Sequence, residues 1–257
     1  MVIIKKNKKA MKIRSINNKK HWNKKYLAIL LVLMVFATFQ IQAQTVKEIL
    51  KKIENKFESK KQYKIKADYT LYRGLIGTQK LIEYKGELIF NKPVKYNKIN
   101  KTETIVSKNS YIKVNHEQKA MVYSNSKNFT KQSQELDITS LLKTFNTGKL
   151  TQDAQNWICE LLPKKYSPLP YTRISLIIDK KTLLLKKQVM LLKNKFNYSK
   201  TKEKEMDYMR LEIKFHPVSA LTKEDFKTIN IDRFVKKQSK KVTLTDKYKN
   251  YQLILNN

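Results

Sequence analysis

Between residues 46 and 57 apolar side chains recur every three or four positions, as Val46, Ile49, Leu50, Ile53 and Phe57, with Lys and Glu between them. That spacing predicts an amphipathic helix, opened by Thr45 and Glu48 as a capping box. From Gln62 the period drops to two. "YKIKADYTLYR" sets Tyr63, Ile65, Ala67, Tyr69 and Leu71 on one face and Lys64, Lys66, Asp68 and Thr70 on the other, the pattern of a half-buried strand. Gly74 and Gly77 supply a turn in "GLIGT", and "KLIEYKGELIF" alternates again through Ile82, Tyr84, Gly86, Leu88 and Phe90. "VKYNKINKTETIV" reads as a third strand. "SYIKV" and "AMVYS" read as a fourth and fifth around the polar "NHEQ", giving a meander of short antiparallel strands.

The texture then changes. "ELDITSLLKTFNTG" places Asp137 as a cap ahead of Leu141, Leu142 and Phe145, with Gly148 just beyond, so a short helix is expected. Strand character resumes in "NWICELLPK", "YTRISLIID", "LLLKKQVMLLKN" and "MRLEIKFH", with a turn at Asp179-Lys180-Lys181. Thr222, three residues before Asp225, offers one more helical turn near Phe226. Residues 236–257 read as a loosely held basic tail whose "YQLILNN" could add an edge strand. No Pro/Gly/Ser-rich linker and no internal repeat divides the chain. The expected fold is a single α+β domain over residues 44–235, a large curved antiparallel sheet with helices on its concave face.

Composition changes the picture at one point. The chain has 257 residues, 41% of them hydrophobic, and a formal net charge of +34, which by itself suggests nucleic acid or an anionic membrane as partner. Its N-terminus argues for a different setting. Residues 1–25 hold ten Lys or Arg and no acid, and an apolar run from Tyr26 to Phe39 leads to the small Ala43. This is the pattern of a secretory signal peptide, residues 1–43, cleaved after Ala43. The run is shorter than the roughly 20 apolar residues of a membrane span. An uncleaved N-terminal anchor is the alternative, and Met11 is an alternative start. Export sets nucleic acid aside. The basic residues that remain are nearly all Lys, a weaker choice than Arg for bidentate phosphate binding, and read as solvated faces with a residual attraction to anionic headgroups.

The chemistry-bearing residues are few. Cys159 is the one cysteine and alternates with Trp157 and Leu161, so it reads as a buried strand thiol. After the leader there are two histidines, His116 at an exposed hairpin tip beside Glu117 and His216 before Pro217. No G-x-S-x-G, H-E-x-x-H, glycine-rich phosphate loop or paired-cysteine metal spacing is present. The expectation is a protein without catalytic residues, metal or cofactor.

The segment Gly86-Glu87-Leu88-Ile89-Phe90-Asn91-Lys92-Pro93-Val94-Lys95-Tyr96 fits G-x-L-x-F-x-[KR]-P-x-x-[FY]. With "NSYIKVNHEQKAMVYS" after it, "LLPK" at 161–164 and "ISLIIDKKTLLLKKQVML" further on, residues 45–230 resemble the periplasmic lipoprotein carriers of the LolA type. The resemblance implies a half-open barrel that shelters acyl chains in an apolar cavity beneath a helical lid. Cargo would be acylated lipoproteins or lipids, carried by a monomer from an inner-membrane releasing complex to an outer-membrane receptor. On this chain the cavity would be lined by Tyr63, Ile65, Tyr69, Leu71, Tyr84, Leu88, Phe90, Tyr96, Leu176 and Ile178. The basic residue before the proline would latch the lid. It is typically Arg in the family and is Lys92 here, a flexible ammonium in place of a planar fork. The same apolar residues can instead fill a solid core, which would leave an envelope binding or stress-sensing module. Lysines near "KTKEKEMDY" and the C-terminus would then suit an acidic partner or anionic lipid.

Overall fold

The computed structural model describes residues 46–125, 143–165, 167, 169–198, 205–238 and 241–256. The signal-peptide reading and Asp137, Leu141 and Leu142 lie outside these. Among the described residues no helix is long and apolar enough to cross a membrane. Alternation builds six strands in succession, each antiparallel to the next: β1 (Gln62–Arg73), β2 (Lys80–Asn91), β3 (Val94–Ile99), β4 (Thr102–Ser107), β5 (Ser110–Asn115) and β6 (Ala120–Ser124). A second run follows: β7 (Phe145–Gln152), β8 (Asn156–Pro163), β9 (Tyr171–Asp179), β10 (Leu185–Leu192), a two-stranded excursion β11 (Phe196–Asn197) and β12 (Met206–Asp207), and β13 (Met209–Phe215). β13 returns to lie between β10 and β1, joining both runs. A small hairpin, β14 (Val235–Gln238) and β15 (Lys241–Leu244), precedes the last strand, β16 (Gln252–Asn256).

The result is one 12-stranded sheet in the order β16-β6-β5-β4-β3-β2-β1-β13-β10-β9-β8-β7. It departs from the expected architecture in two respects. β16 pairs with β6 in parallel, so the sheet is mixed, and it is open, with β16 and β7 as its edges rather than closing toward a barrel. Helix is sparse among the described residues. α1 covers residues 46–58, α2 is Lys223–Thr228, capped as the sequence suggested by Thr222 and Asp225, and two single 3-10 turns follow at Ile231–Arg233 and Asp246–Tyr248.

Local differences have local causes. The "VKYNKINKTETIV" run is two strands, because Asn100 adopts a left-handed φ of 51° and turns the chain between β3 and β4. Asn tolerates that region better than most residues. The helix expected to reach Gly148 stops short of it. Phe145 and Gly148 are strand, and Phe145 pairs with Pro163 at the start of β7. Propensity gave way there to a free neighbour edge on β8. The tail is not loose, since Tyr248 is buried in the core on one side of the sheet and Val242, Leu244, Tyr251 and Leu253 pack against it.

Register shows that the sheet carries a core on each face. Ala67 faces Phe215, Tyr69 faces Ile213, Gln188 faces Ile213 and Leu176, and Cys159 faces Leu176, so these side chains share one face. Onto it α1 lays Val46, Ile49, Leu50 and Ile53, all buried. Full burial of such side chains stabilises by about 1.5–3 kcal/mol each. Ile89, Tyr96, Ile105, Ile112 and Tyr123 face one another in turn across β2 to β6 and lie on the opposite face. There the C-terminal segment covers them with Ile229, Phe234, Val235 and Tyr248. The crossing from one face to the other is pinned at Lys64, whose backbone bridges Ser219 and whose ammonium pairs with Asp225 at 2.6 Å.

Candidate functional site

Beside α1, at the end of β1 and β2 nearest the Lys92-Pro93 turn, the first core does not close. A hollow of about 1000 Å³ remains, at the upper end of the range of roughly 300–1,000 Å³ usual for small-molecule sites. α1 contributes Ile53 and Phe57, β1 contributes Tyr63 and Ile65, β2 contributes Leu88 and Phe90, and β4 contributes Val106. Leu185, Phe215 and Val218 reach it from β10 and the exit of β13. Phe57, Tyr63 and Phe90 form a continuous aromatic wall, with ring centroids 5.3 and 5.1 Å apart. Its polar lining includes Lys51, Glu54, Glu58, Lys92, Lys95, Asn97 and Gln188, and Lys95 lies over the Phe90 ring at 5.8 Å. An apolar chain can lie along the wall while a polar end stays among these groups.

The residues anticipated from the sequence divide into four sets. Tyr63, Ile65, Leu88 and Phe90 come together in the hollow, and Lys92 is on its rim. The Lys92–Pro93 peptide is cis, the Lys92 N–H donates to the Lys61 carbonyl, and the Lys92 side chain is exposed. Leu71, Tyr69 and Tyr84 lie farther along the same strands. Tyr69 and Tyr84 stack at 5.0 Å, and a Cβ on Gly86 would fall 2.6 Å from the Tyr69 ring, so that glycine makes room for the stack. Leu176 and Ile178 are buried in the solid part of the α1 core. Tyr96 touches the hollow, but its phenol engages Glu103 and Arg233 on the opposite face. Cys159 is buried in the same α1 core, and burial pushes its thiol up to about 12.

Val106 and Phe57 were not anticipated as lining. Phe57 was legible as the last member of the helical stripe, one turn beyond Ile53, where the sheet below it falls away. Val106 was hidden by the missed turn. On one continuous strand, positions 96 and 106 share a face, whereas the hairpin at Asn100 puts Tyr96 outside and Val106 inside.

A second cluster occupies the opposite face. His116 is not a free hairpin tip: its Nε2–H donates to Glu103 at 2.8 Å, and its Nδ1 is hydrogen-bonded with the Tyr251 hydroxyl at 3.0 Å. Arg233 pairs with the other Glu103 oxygen. Burial would raise the Glu103 carboxyl, yet the Arg233 charge and hydrogen bonds from His116 and Tyr96 outweigh it and hold the group below its ordinary range. The Tyr248 phenol is pushed up to about 12 by burial. The network joins β4 and the β5–β6 turn to the C-terminal segment. It is a clasp between elements, with Phe234 and Tyr248 stacked beside it at 5.6 Å. Among the described residues no group of three or more His, Cys, Asp or Glu is placed to hold a metal ion.

No family model matches the sequence and no curated protein matches it. Solved structures are similar to it at low identity. A DUF1329 family protein from Desulfovibrio piger is 14% identical, with 74% of this chain and 98% of that one covered and a TM-score of 0.40. An uncharacterized conserved protein from Thermus thermophilus is 10% identical over 82% of this chain and 99% of that one, with a TM-score of 0.42. A LolA superfamily protein from Nitrosomonas europaea is 10% identical over 74% and 98%, with a TM-score of 0.32.

Proposed function

We propose that this protein is a periplasmic carrier that binds the acyl chains of lipoproteins, or of another acylated envelope lipid, in the hollow beside α1 and moves them from inner to outer membrane. The observation that carries the reading is a largely apolar space of about 1000 Å³ left open beside α1, walled by Phe57, Tyr63 and Phe90, where the apolar strip of β2 to β6 on the opposite face is covered by the C-terminal segment. Each methylene that leaves water for such a wall gains about 0.8 kcal/mol. α1 acts as one wall, the hollow's polar rim takes the head of the ligand, and Lys92 is the rim residue that latches the closed, empty state. No catalytic step, metal or cofactor is required, and the protein acts as a monomer. Release needs a receptor with a more favourable apolar site, because about 1.4 kcal/mol suffices for a tenfold bias.

Native mass spectrometry of the chain taken from its own envelope under mild conditions, followed by organic extraction, tests this. The expected result is a stoichiometric acylated ligand that is lost in Leu88→Asp while thermal unfolding still shows a folded protein. A ligand-free mass together with no uptake of acylated peptide would sink the reading. The alternative, a binding or stress-sensing module without shuttled cargo, is favoured by the solid packing around Leu176 and Ile178, and that negative result would select it.

A further inference from the structure

The end of the sheet farthest from the hollow presents a different chemistry. Nine large apolar side chains are exposed among the described residues, and five of them, Leu75, Ile76, Ile82, Phe196 and Met206, are at this end. Ile76 is 95% exposed, in the turn between β1 and β2. A polar residue would serve a water-facing turn equally well, so its shape does not require these side chains. The turn is shaped from beneath instead. Gly74 takes a positive φ of 75°, and buried Arg210 donates from Nη1 to the Leu75 carbonyl at 2.7 Å and from Nη2 to the Gly77 carbonyl at 2.9 Å. Held this way, Leu75 and Ile76 point outward from a fixed support.

Directly behind the apolar turn is a belt of tyrosines carrying cations. The Arg210 guanidinium is 4.6 Å from the Tyr72 ring, Arg73 is 4.8 Å from Tyr198, and the Lys195 ammonium is 5.3 Å from Tyr208. The β11–β12 excursion is tied to the turn through Gly74 N–H to the Tyr208 carbonyl at 2.8 Å and through Arg73 and Asp207 at 3.5 Å. An apolar tip followed by a tyrosine and cation belt matches, in depth order, the acyl region and headgroup layer of a bilayer. Arg210 is buried and paired with Glu212, and Arg73 is paired with Glu205 and Asp207, so exposed Lys195 is the belt cation that specifies the lipid, since a Lys or Arg near an anionic surface strengthens attachment.

We infer that the Leu75–Ile76 turn is a membrane-docking tip that inserts into the surface of a bilayer containing anionic lipid, seated by the Tyr72–Tyr198–Tyr208 belt. This stands apart from the acyl-carrier reading, because the tip and the hollow are at opposite ends of β1. The full chain carrying Ile76→Cys, labelled with an environment-sensitive fluorophore, is mixed with vesicles of phosphatidylcholine and phosphatidylglycerol. Buried Cys159 stays unlabelled in the folded protein. The same label at Ile254→Cys, on the β16 edge, is the control. The probe at 76 should shift to the blue and become protected from iodide, while the probe at 254 should not. Adding Lys195→Gln should weaken the shift about fivefold, and high salt should weaken it too. No change at 76, or equal changes at 76 and 254, would overturn the inference whatever the lipid-extraction experiment shows. A shift at 76 on raising protein concentration without vesicles would assign the tip to a second copy of the chain instead.

Discussion

The two faces of this sheet solve the same problem in opposite ways. On the outer face of β2 to β6 the chain covers its own apolar strip with a C-terminal segment cut to fit, stacking Phe234 on Tyr248 and clasping Glu103 with Arg233 and His116. On the inner face α1 buries four of its five apolar residues and then runs out, leaving Phe57 beside open space. Both faces use the same residue types at the same alternation. What separates a core from a hollow is therefore the supply of covering chain, and not the apolarity of the strands.

Substitutions can break that contrast, and the largest effect belongs to the filled side. Phe234→Ala should cost about 3–5 kcal/mol in a denaturant melt, because a fully buried ring leaves a cavity. Glu103→Gln should cost about 3 kcal/mol by leaving Arg233 without its buried counter-charge. The sign of its pH dependence follows from the lowered carboxyl. The folded state holds Glu103 ionised below its ordinary range, so the stability it adds is complete above that range and is lost as the pH falls through the folded-state value. Parallel melts of wild type and Glu103→Gln should converge as the pH is taken below about 4.

On the open side the same type of change should barely alter stability and should strongly weaken binding. Val106→Trp, which fills the hollow, should shift unfolding by no more than about 1 kcal/mol and abolish uptake of an acylated peptide followed by fluorescence. Loss of several kcal/mol would mean that the space is not open. Leu88→Ala should cost less than a fully buried leucine such as Leu50→Ala, for which about 2–5 kcal/mol is expected. The smallest effect is expected at Ile76→Ser, within about 0.5 kcal/mol by thermal unfolding, since the side chain has no burial to lose.

Much of the inner face was legible because helix and strand periods are strong signals. α1, β1 and β2 fell where the spacing of Val46 to Phe57 and of Tyr63 to Leu71 put them, and with them Tyr63, Ile65, Leu88 and Phe90 of the hollow. The outer face was not legible, for a physical reason. Its covering residues come one or two at a time, Ile229, Phe234, Val235 and Tyr248, between lysines and without a period, so the segment read as a solvated tail. Tyr96 was assigned to the wrong company because one asparagine, Asn100, inverts the facing of everything after it. His116 offered no clue to its partners, since Glu103 comes beside it only through the pairing of β4 with β5, and Tyr251 is distant in sequence and arrives only with the C-terminal segment.

That last strand has a bearing on how the molecule is made. β16 is the final strand of the sheet, yet its partner β6 is more than a hundred residues earlier, and the clasp and the Phe234–Tyr248 stack close along with it. Contacts of such long range are slow to form, because the loop between them must first be ordered. During synthesis the outer face therefore stays unfinished until β16 has emerged. An incompletely folded chain is what a translocation channel accepts, so for the exported carrier proposed above the position of β16 would make completion of the fold the last event after delivery.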